Sequence, residues 1–142
     1  MNRTIYFDMD GTLAGLFFVK DFKKRLASGD VSAYTDAPTL YNEDAMAEVI
    51  NKLIAKGYKI GIISYVSTTP KEARIAKKQW LKEHFNYATE IHIIQEYTTK
   101  YSVAKDKHGI LVDDARKNRD AWKGQTINAF RANLVKELSN LL

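Results

Sequence analysis

Ile5-Tyr6-Phe7-Asp8-Met9-Asp10-Gly11-Thr12-Leu13 decides how the rest of the chain is read. An apolar run of β-branched and aromatic residues stops abruptly at two carboxylates, Asp8 and Asp10, and a glycine comes next. Side chains alternate along a strand, so a strand carrying Asp8 and Asp10 at its carboxyl end presents both on one face. Like charges held that close repel, and a hard divalent cation bound through oxygen is the usual remedy. The competing reading is a plain strand and turn, because Asp-Gly is also a hairpin signal. The residues further along the chain decide between the two.

Three more apolar runs appear: Lys59-Ile60-Gly61-Ile62-Ile63-Ser64, Glu90-Ile91-His92-Ile93-Ile94 and Gly109-Ile110-Leu111-Val112-Asp113. Most are almost continuously apolar, the pattern of strands covered on both faces. Amphipathic segments alternate with them. Asp44 to Ala55 carries Met46, Val49, Ile50 and Leu53 at helical spacing and is closed by Gly57. Pro70 to Phe85 carries a stripe of Ala73, Ala76, Trp80, Leu81 and His84. A closing helix is expected from Ala129 to Leu142, and a weak fifth strand at Thr126 to Ala129. Strand-helix alternation of this kind predicts an α/β fold, a three-layer doubly wound, Rossmann-like parallel sheet. At 142 residues the chain is expected to form one domain.

Residues 14–41 break the alternation, since a simple strand-to-helix turn needs only a few residues. They hold Phe17, Phe18, Phe22, Tyr34 and Tyr41, with a basic stretch from Lys20 to Arg25. Ligands of such sheets bind outside the carboxyl ends of the strands, so the segment reads as a small, mainly helical cap over Asp8 and Asp10. Its aromatics either form a satellite core or act as a lid that stacks on a substrate ring, with Phe17, Phe18 and Tyr41 the candidates.

Composition narrows the classes. With no cysteine, disulfides, thiolate metal sites and cysteine nucleophiles are excluded. No apolar run reaches the ~20 residues that cross a bilayer, and the start lacks a signal-peptide pattern, so a cytoplasmic protein without membrane partners is expected. The net charge of +5 mildly favours anions. Its lysines are scattered through helical stretches, which argues against a dedicated nucleic-acid surface. Oligomeric state is not legible.

Each apolar run ends in, or is soon followed by, a residue suited to handling phosphate: Asp8 and Asp10, then Ser64, then Lys100, then Asp113-Asp114. Lys105 and Lys107 compete with Lys100, which is favoured because it follows the third run directly. This order resembles the haloacid dehalogenase-like (HAD) superfamily of phosphohydrolases, from residue 5 to about residue 119. Finer features look like the small 5'(3')-deoxyribonucleotidase-like group of bacteria and phages. They are the run from Phe7 to Ala14, Tyr34-x-x-Ala37-Pro38-x-Leu40, Gly61 to Tyr65, Ala76-Lys77-Lys78-x-Trp80-Leu81, and Asp113-Asp114 with Asn118-Arg119.

The resemblance implies that Asp8 is the nucleophile, forming an aspartyl-phosphate, and that Asp10 is the general acid and then the base. It implies phosphate contacts from Ser64 and Lys100. Gly11 permits the tight turn after the acid. Mg²⁺ is the implied cofactor, held by Asp8, by Asp113 or Asp114 or both, and by the backbone carbonyl of Asp10. The expected substrate is a small phosphate ester, a deoxynucleoside monophosphate. Rival readings are a phosphatase of another small metabolite or of nucleic-acid 3'-phosphate ends, and a non-catalytic binding module that keeps the fold. The presence of Asp10 favours an enzyme. His84, His92 and His108 do not cluster and read as structural.

Overall fold

Strand β1, Thr4–Phe7, lies at the centre of a five-stranded sheet. The structure is a computed structural model and describes residues 3–66 and 70–142. Strands β2 (Lys59–Val66), β3 (Glu90–Gln95), β4 (Ile110–Asp113) and β5 (Thr126–Asn128) complete the sheet in the order β3-β2-β1-β4-β5. Every neighbouring pair is parallel. Three short helical turns come after β1: Leu16–Phe18, α1 (Phe22–Ala27) and α2 (Ser32–Thr35). The longer helices are α3 (Glu43–Lys56) and α4 (Pro70–His84), with α5 (Lys100–Val103), α6 (Arg116–Ala121) and α7 (Leu134–Ser139) after them.

Alternation along the strands divides the core into two. Ile5, Phe7, Ile60, Ile62, Ile110 and Val112 face one side, where they meet buried residues of α3, α4 and α7. Tyr6, Ile63 and Leu111 face the other and pack with Ala104 and Trp122, beside α5 and α6. The sheet is therefore covered on both faces, as the unbroken apolar runs require. Residues 14–41 join the larger core through Leu16, Val19, Ala33, Tyr34 and Ala37. Trp80 of α4 ties them down by donating its indole N–H to the Ala37 carbonyl at 2.8 Å.

Three boundaries differ from the sequence expectation. β1 stops at Phe7, so Asp8 and Asp10 sit on the turn beyond it rather than on the strand. There the Met9 carbonyl accepts the amides of Thr12, Leu13 and Ala14 at 2.9–3.1 Å, which winds the chain tightly. β2 runs on to Val66, so Ser64 lies inside the strand, not at its end. The closing helix is only Leu134–Ser139. Before it, the Asn128 side chain accepts from the Phe130 amide at 2.9 Å and Arg131 takes a left-handed φ of 54°. Asn133 caps the helix by accepting from the Lys136 amide. Local asparagine bonds thus outcompete helix over the preceding residues. The fifth strand forms where the weak signal placed it.

Candidate active site

Parallel register assembles the site. Phe7 pairs with both Ile62 and Val112, so Asp8, one residue further, comes level with Asp113 at the end of β4. The Asp8 amide donates to the Val112 carbonyl at 3.0 Å, which holds it there. Lys100, from the first turn of α5, places its ammonium between the two acids, 2.8 Å from Asp8 Oδ1 and 2.8 Å from Asp113 Oδ2. All three side chains are buried. Asp113 also accepts from the Ala115 amide at 2.9 Å and from Asn118 Nδ2 at 3.1 Å, while Arg119 donates to its backbone carbonyl at 3.1 Å. Asn118 and Arg119, both on α6, thus brace the acid.

The turn after β1 supplies the rest. Gly11 has a φ of 86°, and a Cβ there would collide with the Asp114 carboxylate and lie 3.0 Å from the Phe17 ring. Only glycine serves both needs. Thr12, buried, shares its hydroxyl between Asp8 Oδ2 and Asp114 Oδ1 at 3.3 Å each and accepts the Asp114 amide at 3.2 Å. On the other side, Asp10 Oδ2 and Ser64 Oγ both receive hydrogen bonds of 2.8 Å from one ammonium, that of Lys77. Lys77 was not among the sequence candidates. Its signal was a lysine within the otherwise apolar stripe of α4, where it is wholly buried.

Compared by sequence, the chain matches no protein-family model and no curated protein. Compared by structure, it is similar to YfnB of Bacillus subtilis, a HAD-hydrolase solved bound to magnesium. The TM-score is 0.60 and the identity 12%, over 99% of this chain and 98% of that one. A HAD-superfamily hydrolase of subfamily IA from Geobacter sulfurreducens superposes with a TM-score of 0.59 at 12% identity, over 100% of both chains. The fold is that of the HAD hydrolases. A chain of the Pnkp1/Rnl/Hen1 complex also matches, with a TM-score of 0.60 and 14% identity over 90% of this chain. This chain spans 46% of that one's length.

On this HAD scaffold, Asp8, Asp113 and Asp114 bring carboxylate oxygens within 4.8 Å of one another. Burial, and then the Asp8 charge, push Asp113 above the ordinary carboxylate range. The same two causes push Asp114 up to about 7. Burial opposes the charge on Lys100, but Asp8 and Asp113 outweigh it and hold the ammonium above its usual range. Burial also pushes Asp10 up, against the pull of Lys77. Among the described residues, the four carboxylates bond only two ammonium groups, Lys77 and Lys100. With all four ionised, two negative charges would be left over, and a hard divalent cation fits that deficit and that donor set.

The remaining candidates divide. Phe17 and Phe18 are exposed, and with Thr12, Asp114, Phe130 and Arg131 they line a cavity of about 400 Å³ beside the acids. Tyr41 lies elsewhere: its ring packs edge-on against Phe85 and its hydroxyl donates to the His84 carbonyl at 2.9 Å. It is a packing residue, not part of that cavity wall. Lys105 is exposed, and its backbone amide donates to Glu90 at 3.0 Å, whereas Lys100 takes the position between the acids. His84 and His92 bond Glu43 and Glu90, each at 2.6 Å. Among the described residues, no helix is long and apolar enough to cross a membrane.

Proposed function

We propose that this protein is a Mg²⁺-dependent phosphoric monoester hydrolase, acting as a 5'(3')-deoxyribonucleotidase on deoxynucleoside monophosphates. The observation that carries the reading is Lys100 clamped between Asp8 and Asp113, with a second acid, Asp10, two residues beyond Asp8. Asp8 is a carboxylate at the mouth of the sheet and attacks phosphorus without an activating base. As the Asp8–phosphorus bond forms, the ester bond breaks, and the leaving oxygen takes its electron pair and a proton from Asp10. Asp10 then accepts a proton from the water that hydrolyses the aspartyl-phosphate. Lys100 spends two of its three ammonium protons on Asp8 and Asp113 among the described residues, so one remains for a phosphate oxygen. Asp8, Asp113, Asp114 and the Asp10 backbone carbonyl would hold Mg²⁺, which would supply the charge that lets an anionic nucleophile meet an anionic phosphate.

The substrate class rests on the cavity beside Asp114. Phe17, Phe18 and Phe130 are 57%, 77% and 58% exposed there, an unusual outlay of aromatic surface beside an acidic centre. A planar base joined to the reacting phosphate covers such rings. Stacking is worth ~1–3 kcal/mol per base, so Phe18→Ala is expected to raise KM for a nucleoside monophosphate about five- to a hundredfold. Small aryl phosphates, which do not fill the cavity, are expected to change much less. The test is a panel of phosphate esters assayed with Mg²⁺ on wild type, Phe18→Ala and Asp8→Asn. Retention of substantial turnover by Asp8→Asn would sink the covalent mechanism. Sugar phosphates outperforming every nucleotide would leave the hydrolase and remove the nucleotidase.

A further inference from the structure

We propose that Lys77 is a positioning residue whose ammonium sets the Asp10 carboxyl group and the Ser64 hydroxyl in their working orientations. The proposal rests on the hydrolase reading. Lys77 sits on α4, is wholly buried, and donates to Asp10 Oδ2 at 2.8 Å, Ser64 Oγ at 2.8 Å and the Tyr65 carbonyl at 2.6 Å. An ammonium has three protons, and here each has an acceptor. Nothing is left over for a substrate oxygen, which separates Lys77 from Lys100. Burying a lysine is costly, and its neighbours on that face of α4 are Ala73, Ala76, Trp80 and Leu81, so packing alone calls for an apolar residue.

Each bond has a chemical consequence. Because Oδ2 of Asp10 accepts from Lys77, a proton carried by this carboxyl group belongs on Oδ1. Because Ser64 Oγ accepts from Lys77, its own hydrogen points away from the ammonium, and the hydroxyl is presented as a donor, the role a phosphate oxygen needs. The bond to Tyr65 anchors the ammonium to the backbone of β2. On its remaining side lies the ring of Tyr34, from the cap, with its centroid 4.9 Å away. One side chain thereby joins the cap, the acid and the phosphate-binding strand.

The step that depends on this is leaving-group departure. The ester oxygen takes the bonding pair from phosphorus and the proton from Asp10 Oδ1, while Asp8 forms the new bond to phosphorus. An alkoxide needs that proton far more than a nitrophenolate does. The experiment compares kcat and KM for an alkyl phosphate, such as a deoxynucleoside monophosphate, with those for p-nitrophenyl phosphate. Lys77→Met, of similar length and suited to a buried site, is expected to lose about a hundredfold in kcat on the alkyl ester and much less on the nitrophenyl ester. Any effect through Ser64 is common to both esters and cancels in their ratio. In an Asp10→Asn background, Lys77→Met is expected to leave that ratio unchanged, because the acid it positions is gone.

Equal losses on the two esters, or a Lys77→Met enzyme as active as wild type, would overturn the proposal while the hydrolase reading stood. Should Lys77→Met fail to fold, Lys77→Arg keeps the charge but alters the donor geometry. It must then show the same skew toward the nitrophenyl ester, and an unskewed ratio overturns the proposal equally. A wild type inactive on both esters with Mg²⁺ would overturn the hydrolase reading and the proposal with it.

Discussion

Lys100 is the residue on which the balance of charge turns, because Asp8 and Asp113 share it at 2.8 Å and, among the described residues, Asp114 stands beside them with no ammonium of its own. Lys100→Met leaves buried carboxylates uncompensated and is expected to cost about 3–5 kcal/mol, read from the urea midpoint in chelator. Asp8→Asn removes one of the repelling charges and is expected to keep or raise that midpoint. If both variants lowered it alike, charge crowding would not be the governing force. Lys100 was legible in the sequence, over Lys105 and Lys107, because it comes first of the three after β3, where a short loop keeps the chain at the sheet's carboxyl edge. Lys77 was missed although its spacing puts it on one face of α4 with Ala73, Ala76, Trp80 and Leu81, because a lysine on a helix is by default read as solvated.

At the scale of elements, Tyr6 shows why the sheet tolerates glycine in two strand regions. Its ring crosses the second face of the sheet, and a Cβ at Gly61 or at Gly109 would stand 2.6 Å from it. The hydroxyl is fastened as well, donating to Glu90 at 2.9 Å and accepting the Asp106 amide at 2.9 Å, so the ring cannot swing aside. Gly61→Ala is therefore expected to destabilise by about 1–3 kcal/mol through overpacking. The check is a denaturation curve on Gly61→Ala and on Gly61→Ala with Tyr6→Leu, where the penalty should largely vanish. A penalty that persists without the tyrosine ring would refute the clash. Continuous apolar runs made the central strands readable, since double coverage leaves no other use for them. The start of α7 was not readable, because leucine spacing says nothing of the Asn128 bond that turns the chain before the helix or of the Asn133 cap that sets where it begins. The place of Tyr41 was hidden for a similar reason: an aromatic residue in a cap carries no mark of which way it faces.

For the whole molecule, the site's acids couple stability to pH. Burial and the Asp8 charge lift Asp114 to about 7, from an ordinary 3.8. Between those values the native protein holds a proton that the unfolded chain has released. The stability from this group is thus fully present at low pH and declines as pH rises through about 7. Burial lifts Asp10 and Asp113 in the same direction. In chelator, Asp114→Asn should therefore gain on wild type in thermal midpoint as pH rises from about 5 to about 7.5. Saturating Mg²⁺ should erase the difference or reverse it, because the cation favours the ionised carboxylate. A difference that stayed flat with pH would place Asp114 outside the charge cluster.

The central position of β1 also matters for a chain made one residue at a time. β1 emerges before the other strands, and its partner on one side is β4, some hundred residues later in the sequence. At about 5–20 residues per second of synthesis, that edge stays open for roughly 5–20 s. An open apolar strand is a template for pairing with another nascent chain. The acidic pair just past Phe7 blunts that hazard, since charges flanking an apolar strand act as gatekeepers against aggregation. Asp8 and Asp10 thus flank the open strand with charge from the moment it is made.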